Sequence, residues 1–488
     1  MGSGTAGPDR MVTDLAGKLP ADDGPARPLA GKLPADDGPA RAGEGEGDVL
    51  VVRAAARLRG HPALPGDKSI SHRALLLALL AEGESRIAAA GDGADVRSTA
   101  GVVAALGARV ERMAERGGRV DYRVVSPGGD ALREPDGILD CGNSGTTTRL
   151  VAGLVAGRPL FAILDGDASL RRRPMGRVVE PLAVMGAAFA GRRAATLLPL
   201  AITGRNRLTA ITYATPVPSA QVKSAILLAG LAADGETVVI EAVATRDHTE
   251  RMLRARGVSV LEATDADGRH VVRISGPATV GVADEIVPSD PSGAAFWLVA
   301  GAIHPDAELH LDGVSTNPSR RAIIDILRRM GADIEEHGRP APGGEDGEPL
   351  ADLVVRSSEL RAIDLSPADV AAAIDEIPIL ALAATAARGT TRIRGAGELR
   401  HKESDRIAGI ADGLTALGAR VRVTGDDIEI EGGTRLRGAV TETLDDHRLA
   451  MTFAIAGLIA EGETIVRRPG SAAISYPGFF RELEGVRA

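Results

Sequence analysis

Cysteine is almost absent. Cys141 stands alone, which excludes an internal disulfide and any multi-cysteine metal site. Aromatic residues are scarce: one Trp, three Tyr and six Phe are too few for the stacking platform of a single-strand nucleic-acid binder. Excess positive charge is missing. With 57 basic against 66 acidic residues the net charge is −9, the wrong sign for a dedicated nucleic-acid partner. Long apolar runs are lacking too. The longest, residues 449–460, contains Thr452 and falls short of the roughly 18 residues that span a bilayer. No basic-then-apolar leader opens the chain, so a cytoplasmic location is expected. The last scarcity is lysine. Only five of the 57 basic residues are Lys, and Lys18 and Lys32 fall in an N-terminal repeat. That leaves Lys68, Lys223 and Lys402 in a chain that uses Arg for nearly every other cation. Either they mark positions that need a compact, rotatable or titratable ammonium, or they survive by chance.

What is present is an ordinary globular composition, 44% hydrophobic and 25% charged, over 488 residues. That length suits two to four domains. Residues 1–48 stand apart: LAGKLPADDGPAR occupies 15–27 and returns at 29–41. The segment has too few apolar side chains to offset its ordering entropy, so a flexible tail is expected. Beyond it one pattern recurs, a helix-like stretch that ends in Gly and enters a strand-like stretch. Copies lie at VVAALGARVE (102–111), PLAVMGAAFA (181–190), MLRARGVSVL (252–261), ILRRMGADIE (326–335) and GLTALGARVRV (413–423). FFRELEGVRA (479–488) is a truncated sixth. Gly past a helix permits the left-handed cap that reverses the chain into a strand. Six units of similar length predict a repeated α/β supersecondary unit, most simply three per lobe in two lobes. The cleft between the lobes is then the natural ligand site.

The candidate chemistry sits at helix starts. In LPGDKSISHRALLLALLAEGES (64–85) a turn places Lys68, Ser69 and Arg73 around a helix N-terminus, which favours anions. A plain capped helix with a solvated Arg73 is the alternative. LDCGNSGTTTRLVAGLVAG (139–157) is a tight polar loop before a second apolar helix, with Gly145 open to close backbone approach. It lacks the G-x-x-x-x-G-K-[ST] spacing of a nucleotide triphosphate loop. SLRRRPMGRVVEPLAVMG (169–186) brings three Arg to another helix start, or simply to the surface. PSAQVKSAILLAGL (218–231) and TRDHTERML (245–253) repeat the arrangement with Ser219, Gln221, Lys223, Arg246 and His248. In the second half, Asp375 and Glu376 precede an apolar helix. ELRHKESDRIAGIADGL (398–414) predicts a helix on which Lys402 and Arg406, i and i+4, share a face beside Glu403. That group reads as a site or as a bare ion-pair network. TLDDHRLAMTFAIAGL (443–458) adds Asp446, His447 and Arg448.

Together these motifs resemble the signatures of the 3-phosphoshikimate 1-carboxyvinyltransferases (5-enolpyruvylshikimate-3-phosphate synthases), in family order over residues 49–488. All three non-tail lysines fall inside them. The resemblance implies the enolpyruvyl transferase fold, a two-lobed inside-out α/β barrel with three β-α-β-α-β-β units per lobe. It places the first lobe at 65–288 and the second at 49–64 with 289–488. It implies transfer of the enolpyruvyl group of phosphoenolpyruvate to the 5-hydroxyl of shikimate 3-phosphate, with phosphate leaving and neither metal nor organic cofactor. A monomer without nucleic-acid or membrane partners is expected. Two multiply charged anions must then meet in one cleft, so a protein of net −9 needs a locally cationic one.

By the same resemblance Lys68, Ser69, Arg73, Ser219, Ala220, Gln221, Arg246, Asp375 and Lys402 contact shikimate 3-phosphate. Lys68, Gly145, Arg173, Gln221, Arg406 and Arg448 contact phosphoenolpyruvate. Asp375 matches the base at the hydroxyl and Glu403 the carboxyl that exchanges protons with the methylene carbon, with Lys68 beside the reacting groups. Two positions depart from the pattern. Ala220 stands where many members have a second Ser. A late phosphoenolpyruvate-binding Lys has no equivalent in IVRRPGSAAISYPGFF, where Arg467 or Arg468 is the substitute on offer. Closure of the lobes on shikimate 3-phosphate is expected, since the motifs come from both halves of the chain. Gly145 matches the loop Gly of glyphosate-sensitive members, so inhibition competitive with phosphoenolpyruvate is also expected. The alternative acceptor is UDP-N-acetylglucosamine, as in a sister enzyme with a loop cysteine as acid; Cys141 reads instead as a small buried residue at a strand end. A catalytically inactive relative and an Arg-rich binding module are the non-enzyme alternatives, opposed by Asp375, Lys402 and Glu403 and by the acidic net charge respectively.

Overall fold

The structure, a computed structural model, describes residues 48–487. The tail expected over 1–48 lies outside them apart from Asp48. Six small sheets organise the described residues. Five share one pattern: a short edge strand runs parallel to its neighbour, and two antiparallel pairings follow. In one, Leu139–Asp140 runs parallel to Phe161–Asp165, which pairs antiparallel with Leu197–Thr203, which pairs antiparallel with Ala188–Gly191. The reversal at the repeated Gly is the predicted one in five copies. Gly107, Gly186, Gly257, Gly331 and Gly418 all have φ between 80° and 113°, backbone that side-chain-bearing residues avoid. The sixth copy differs. Gly485 ends the helix Phe479–Gly485 without a positive φ, and the antiparallel partner in that sheet is Val49–Arg53, against Glu463–Arg467.

Each unit packs one helix inside, apolar on all sides beyond its first turns. These are α1 (Lys68–Leu80), α2 (Gly145–Ala156), α3 (Ala220–Gly230), α4 (Pro291–Ile303), α5 (Ile377–Ala386) and α6 (His447–Gly457). A helix apolar on all sides is stable only when enclosed, and these six are buried almost throughout. Their burial gives two apolar clusters, one drawn from residues 70–287 and one from 52–64 and 294–486. This is the expected two-lobed arrangement, three inner helices to a lobe.

The chain crosses between lobes twice, side by side. Asp67 N donates to Pro288 O (2.8 Å) and Asp290 N to Pro65 O (2.9 Å). Gly66 is required in this contact, because a Cβ there would lie 2.1 Å from Ala89 O. The short strand before each crossing closes a sheet of the lobe the chain is about to leave. Leu58–Gly60 completes a second-lobe sheet beside Ala307–Ser315, and Glu285–Ile286 completes a first-lobe sheet beside Glu82–Gly91.

A contact network links the lobes away from the crossings. His248 Nδ1 lies 2.6 Å from Glu348 Oε1, and Asn317 Nδ2 bridges Glu348 Oε2 (2.8 Å) and Asp247 Oδ1 (2.7 Å). Burial pushes the Glu348 pKa up, but His248 and Asn317 outweigh it and hold the carboxyl at about 2. A depressed carboxyl stabilises the fold above its unfolded pKa, and that contribution is lost as pH falls through the folded value. Glu348→Gln is therefore expected to cost about 1–3 kcal/mol near pH 7, as a buried partner is left poorly satisfied. The gap to wild type should narrow as pH falls from about 4.5 towards 2. Thermal unfolding midpoints across that range test it; a gap independent of pH removes the ionic contribution.

Candidate active site

The N-terminal ends of the inner helices carry the side chains that meet between the lobes. On the first-lobe side Asp67 caps α1, accepting from Ile70 N (2.9 Å), and this leaves Lys68 and Ser69 in the first turn. Lys68 Nζ pairs with Asp95 Oδ2 at 2.8 Å. Arg73, one turn on, is buried. It donates to Ser69 O (2.9 Å), Thr249 Oγ1 (2.7 Å) and Ser224 Oγ (2.9 Å), and burial lowers its pKa to about 10. It therefore braces the turn that holds Ser69 and is not the solvated residue of the alternative reading. Ser144 caps α2 through Thr147 N (3.0 Å) and places Gly145 first in the helix. Ser219 caps α3 through Val222 N (3.4 Å), with Ala220 next. Gln221 donates to Thr146 Oγ1 (2.9 Å) and accepts from Arg149.

On the second-lobe side two carboxylates share one guanidinium. Arg406 Nη2 lies 2.7 Å from Glu403 Oε2, and Arg406 Nη1 lies 3.7 Å from Asp375 Oδ1. Asp446, the cap of α6, fixes Arg406 from behind (Nε to Oδ2, 2.8 Å). The first lobe supplies further cations. Arg246 Nη2 reaches Asp375 Oδ2 at 2.8 Å and Arg173 Nη2 reaches Glu403 Oε1 at 3.6 Å. Lys402 Nζ adds a contact to Asp375 Oδ1 at 3.3 Å. Arg448 Nη1 lies 3.5 Å from Glu376 Oε1. A cavity of about 350 Å³ opens between residues 169–174 and 400–405, lined by Arg172, Arg173, Lys402 and Glu403 among others.

The continuous helix expected over 398–414 is not what forms. A 3₁₀ turn, Gly397–His401, ends before Lys402, which is extended, and the α-helix begins at Arg406. Asp405 sets that start by accepting from Ala408 N (3.1 Å). Lys402 and Arg406 thus do not share a helix face; they meet at Asp375 from two directions.

Electrostatics follow from the packing. Burial pushes both site carboxyls upward in pKa, and surrounding cations outweigh it. Lys402, Arg246, Arg448 and Arg406 hold Asp375 well below the usual carboxylate range. Arg406, Arg173, His447 and Lys68 do the same for Glu403. Several donors stay unsatisfied: buried Arg149 Nε, Arg173 Nε, Arg406 Nη1 and both Nε and Nη1 of Arg448 have no hydrogen-bond partner among the described residues. Buried guanidinium donors without a hydrogen bond are costly, so their clustering marks a place shaped for an anion. Among the described residues no group of three or more His, Cys, Asp or Glu is arranged to hold a metal ion.

Not every singled-out residue joins this cluster. Lys223 is fully buried between Glu241 (2.8 Å) and Glu250 (2.7 Å), and their charges raise its pKa against the downward pull of burial. His248 belongs to the contact network with Glu348. Cys141 is buried just past the strand Leu139–Asp140, and burial pushes its thiol up to about 12. Arg467 and Arg468 pair with Glu442 at the surface. Conversely, sequence reading gave no role to Asp95, Arg320 or Glu376. Arg320 is buried, paired with Asp67 (3.3 Å) and Asp290 (3.1 Å), and it reaches Ser69 Oγ at 3.4 Å. Its one available signal was an Arg in a chain stretch, NPSRR, with no periodic partner.

Comparison with known proteins agrees with this architecture. The EPSP synthase (3-phosphoshikimate 1-carboxyvinyltransferase) family model matches residues 52–483. A 3-phosphoshikimate 1-carboxyvinyltransferase of Roseiflexus sp. is 50% identical over 434 residues, 88% of this chain and 97% of the relative. One from Gloeobacter violaceus is 50% identical over 442 residues, 90% and 99%. Among solved structures, an EPSP synthase from Acinetobacter baumannii aligns with a TM-score of 0.78 at 38% identity, covering 90% of this chain and 98% of that one. An enolpyruvyl transferase from Streptomyces tendae shares the fold (TM-score 0.70, 19% identity, 90% and 97% covered). With a match running through both lobes and every helix start that carries the cluster, the chain belongs to the EPSP synthase (3-phosphoshikimate 1-carboxyvinyltransferase) family.

Proposed function

We propose that the protein transfers the enolpyruvyl group of phosphoenolpyruvate to the 5-hydroxyl of shikimate 3-phosphate, releasing phosphate, as a step of aromatic amino-acid biosynthesis. The observation that carries the reading is Arg406 seated between Asp375 and Glu403, with guanidinium donors around it that make no hydrogen bond among the described residues. Asp375 takes the proton of the attacking hydroxyl, helped by Lys402, whose ammonium balances the negative charge developing there. Glu403 gives a proton to the methylene carbon as the new C–O bond forms. It recovers a proton from the resulting methyl group as the C–O bond to phosphate breaks. Lys68, Arg173, Arg406 and Arg448 hold the phosphoenolpyruvate charges, with Gly145 allowing close approach. Ser69, Arg73, Ser219, Ala220, Gln221 and Arg246 serve shikimate 3-phosphate, Gln221 also facing phosphoenolpyruvate. Ala220 contributes its backbone only. The boundaries at 65 and 288, a cytoplasmic location and a monomeric state belong to the same reading.

Transfer to UDP-N-acetylglucosamine is disfavoured by Cys141, which is fully buried beside a strand end rather than carried on an exposed loop, and whose thiol burial makes a poorer proton donor. Phosphate release measured with each acceptor is the test. Release with shikimate 3-phosphate alone is the expected result, and release with the nucleotide sugar alone, or with neither, overturns the reading. Shikimate 3-phosphate is also expected to compact the protein, because it neutralises cations on both walls of the cleft. A radius of gyration from small-angle scattering that does not fall on its addition removes closure from the mechanism.

A further inference from the structure

Arg448 opens α6 with its backbone N held by Asp446 Oδ1 (2.8 Å), but its side chain has one carboxylate neighbour among the described residues within ion-pair distance: Glu376 Oε1, at 3.5 Å. Glu376 is buried at the start of α5 and is itself fixed from the other side. Ser292 Oγ donates to Glu376 Oε1, and Arg320 Nη2 donates to Ser292 Oγ at 2.9 Å. Since Ser292 accepts from Arg320, its single proton is committed to Glu376. Arg320 is anchored in turn on Asp290 Oδ1 (3.1 Å) and Asp67 Oδ2 (3.3 Å), the caps of α4 and α1 beside the two crossings. A buried line therefore runs from the lobe crossings through Arg320, Ser292 and Glu376 to the Arg448 guanidinium, which meets Glu376 as an ion pair through Nη1 and whose Nε and Nη1 make no hydrogen bond among the described residues.

We propose that Glu376 is a positioning residue for phosphoenolpyruvate binding. It holds the Arg448 guanidinium in orientation from behind, and Ser292 and Arg320 hold Glu376. A flexible Arg pointing into an anion site loses rotamer freedom on binding, and an anchor that fixes it beforehand lowers that cost. Glu376 lies next in sequence to Asp375, yet its carboxylate faces Ser292 and Arg448, whereas Asp375 faces Lys402, Arg246 and Arg406. Neighbouring carboxylates thus serve different ends of the site. The inference rests on the assignment of Arg448 as a phosphoenolpyruvate ligand.

The test is a double-mutant cycle in the full-length enzyme with Glu376→Gln and Arg448→Lys, reading KM for each substrate and kcat. Glu376→Gln should raise KM for phosphoenolpyruvate about tenfold and leave KM for shikimate 3-phosphate within about twofold. Combined with Arg448→Lys it should add little further, because both changes act through one contact. Ser292→Ala, which removes the orienting hydroxyl and leaves the carboxylate, should give a smaller rise in the same constant; it provides the reading if Glu376→Gln does not fold. Effects of Glu376→Gln and Arg448→Lys that simply multiply overturn the proposal, as does an equal rise for both substrates or no rise at all. If Arg448→Lys itself leaves phosphoenolpyruvate binding unchanged, the ligand assignment fails first, and that outcome is distinct.

Discussion

Glu403→Gln is expected to lower kcat by about 10²–10⁴-fold while changing either KM only a few-fold, the signature of a lost proton transfer rather than lost binding. Glutamine keeps the shape of the side chain and still accepts from Arg406, but it has no proton to deliver to carbon. The local charges make the prediction specific. Burial is the largest influence on Glu403 and acts upward, yet Arg406, Arg173, His447 and Lys68 pull its pKa well below the usual range. Such a carboxyl is ionised at neutral pH and cannot donate. Lys68, Arg173 and Arg406 are also the cations assigned to phosphoenolpyruvate. When an anion engages them, their pull on Glu403 weakens while burial remains, so its pKa rises.

Ligand binding should therefore be accompanied by proton uptake. Calorimetric titration of an unreactive phosphoenolpyruvate analogue, with shikimate 3-phosphate present, in buffers of different ionisation enthalpy measures this. Uptake of a sizeable fraction of one proton near pH 6–7 in the wild type, reduced in Glu403→Gln, is the expected result. Near-normal turnover in the variant, or identical uptake in both proteins, takes Glu403 out of the proton path.

How far the sequence disclosed all this depends on the range of the interactions. Helix starts were legible because their causes are local. Asp67, Ser144 and Ser219 each cap a helix through the amide three residues on, and the Gly at 107, 186, 257, 331 and 418 each turn the chain at a helix end. The short edge strands Leu58–Gly60 and Glu285–Ile286 were not legible, since three and two residues carry no periodicity. The sheet completed by Val49–Arg53 pairs residues about 410 positions apart, beyond any local pattern. Residues 398–405 misled because charges at i and i+4 suit a helix, whereas Asp405, three residues before Ala408, suits a helix start and won. In the site, Lys68, Asp375, Lys402 and Glu403 were named from motifs, but the sharing of Arg406 between two carboxylates was not. Arg320 and Glu376 escaped because their partners are buried side chains on other units, and a chain with 52 Arg gives no reason to single out one.

The other large expected effect concerns Gly145. In the wild type, glyphosate should compete with phosphoenolpyruvate; in Gly145→Ala its inhibition constant should rise about tenfold or more, a single-methyl overpacking effect. The KM for phosphoenolpyruvate should rise by a smaller factor. The geometry separates this from a folding effect. Gly142, not Gly145, carries the positive φ (54°) of the loop, and Gly145 sits as the first residue of α2 in backbone that Ala also adopts. Substitution there carries no left-handed strain, and Ala is the better helix former. The added Cβ would lie 3.2 Å from Arg149 Nη1 and 3.4 Å from Arg173 Nη1. Both are ends of flexible side chains, so the fold accommodates the methyl by shifting guanidinium groups a few tenths of an ångström. That shift falls on Arg173, an assigned phosphoenolpyruvate ligand, and on Arg149, which positions Gln221. The longer inhibitor, filling more of the same space, meets the methyl more directly than the substrate does. Thermal unfolding of Gly145→Ala should match wild type within a few degrees, and a loss beyond that would return the residue to a structural role. Unchanged glyphosate inhibition in a well-folded variant would show that the start of α2 does not border the phosphoenolpyruvate site.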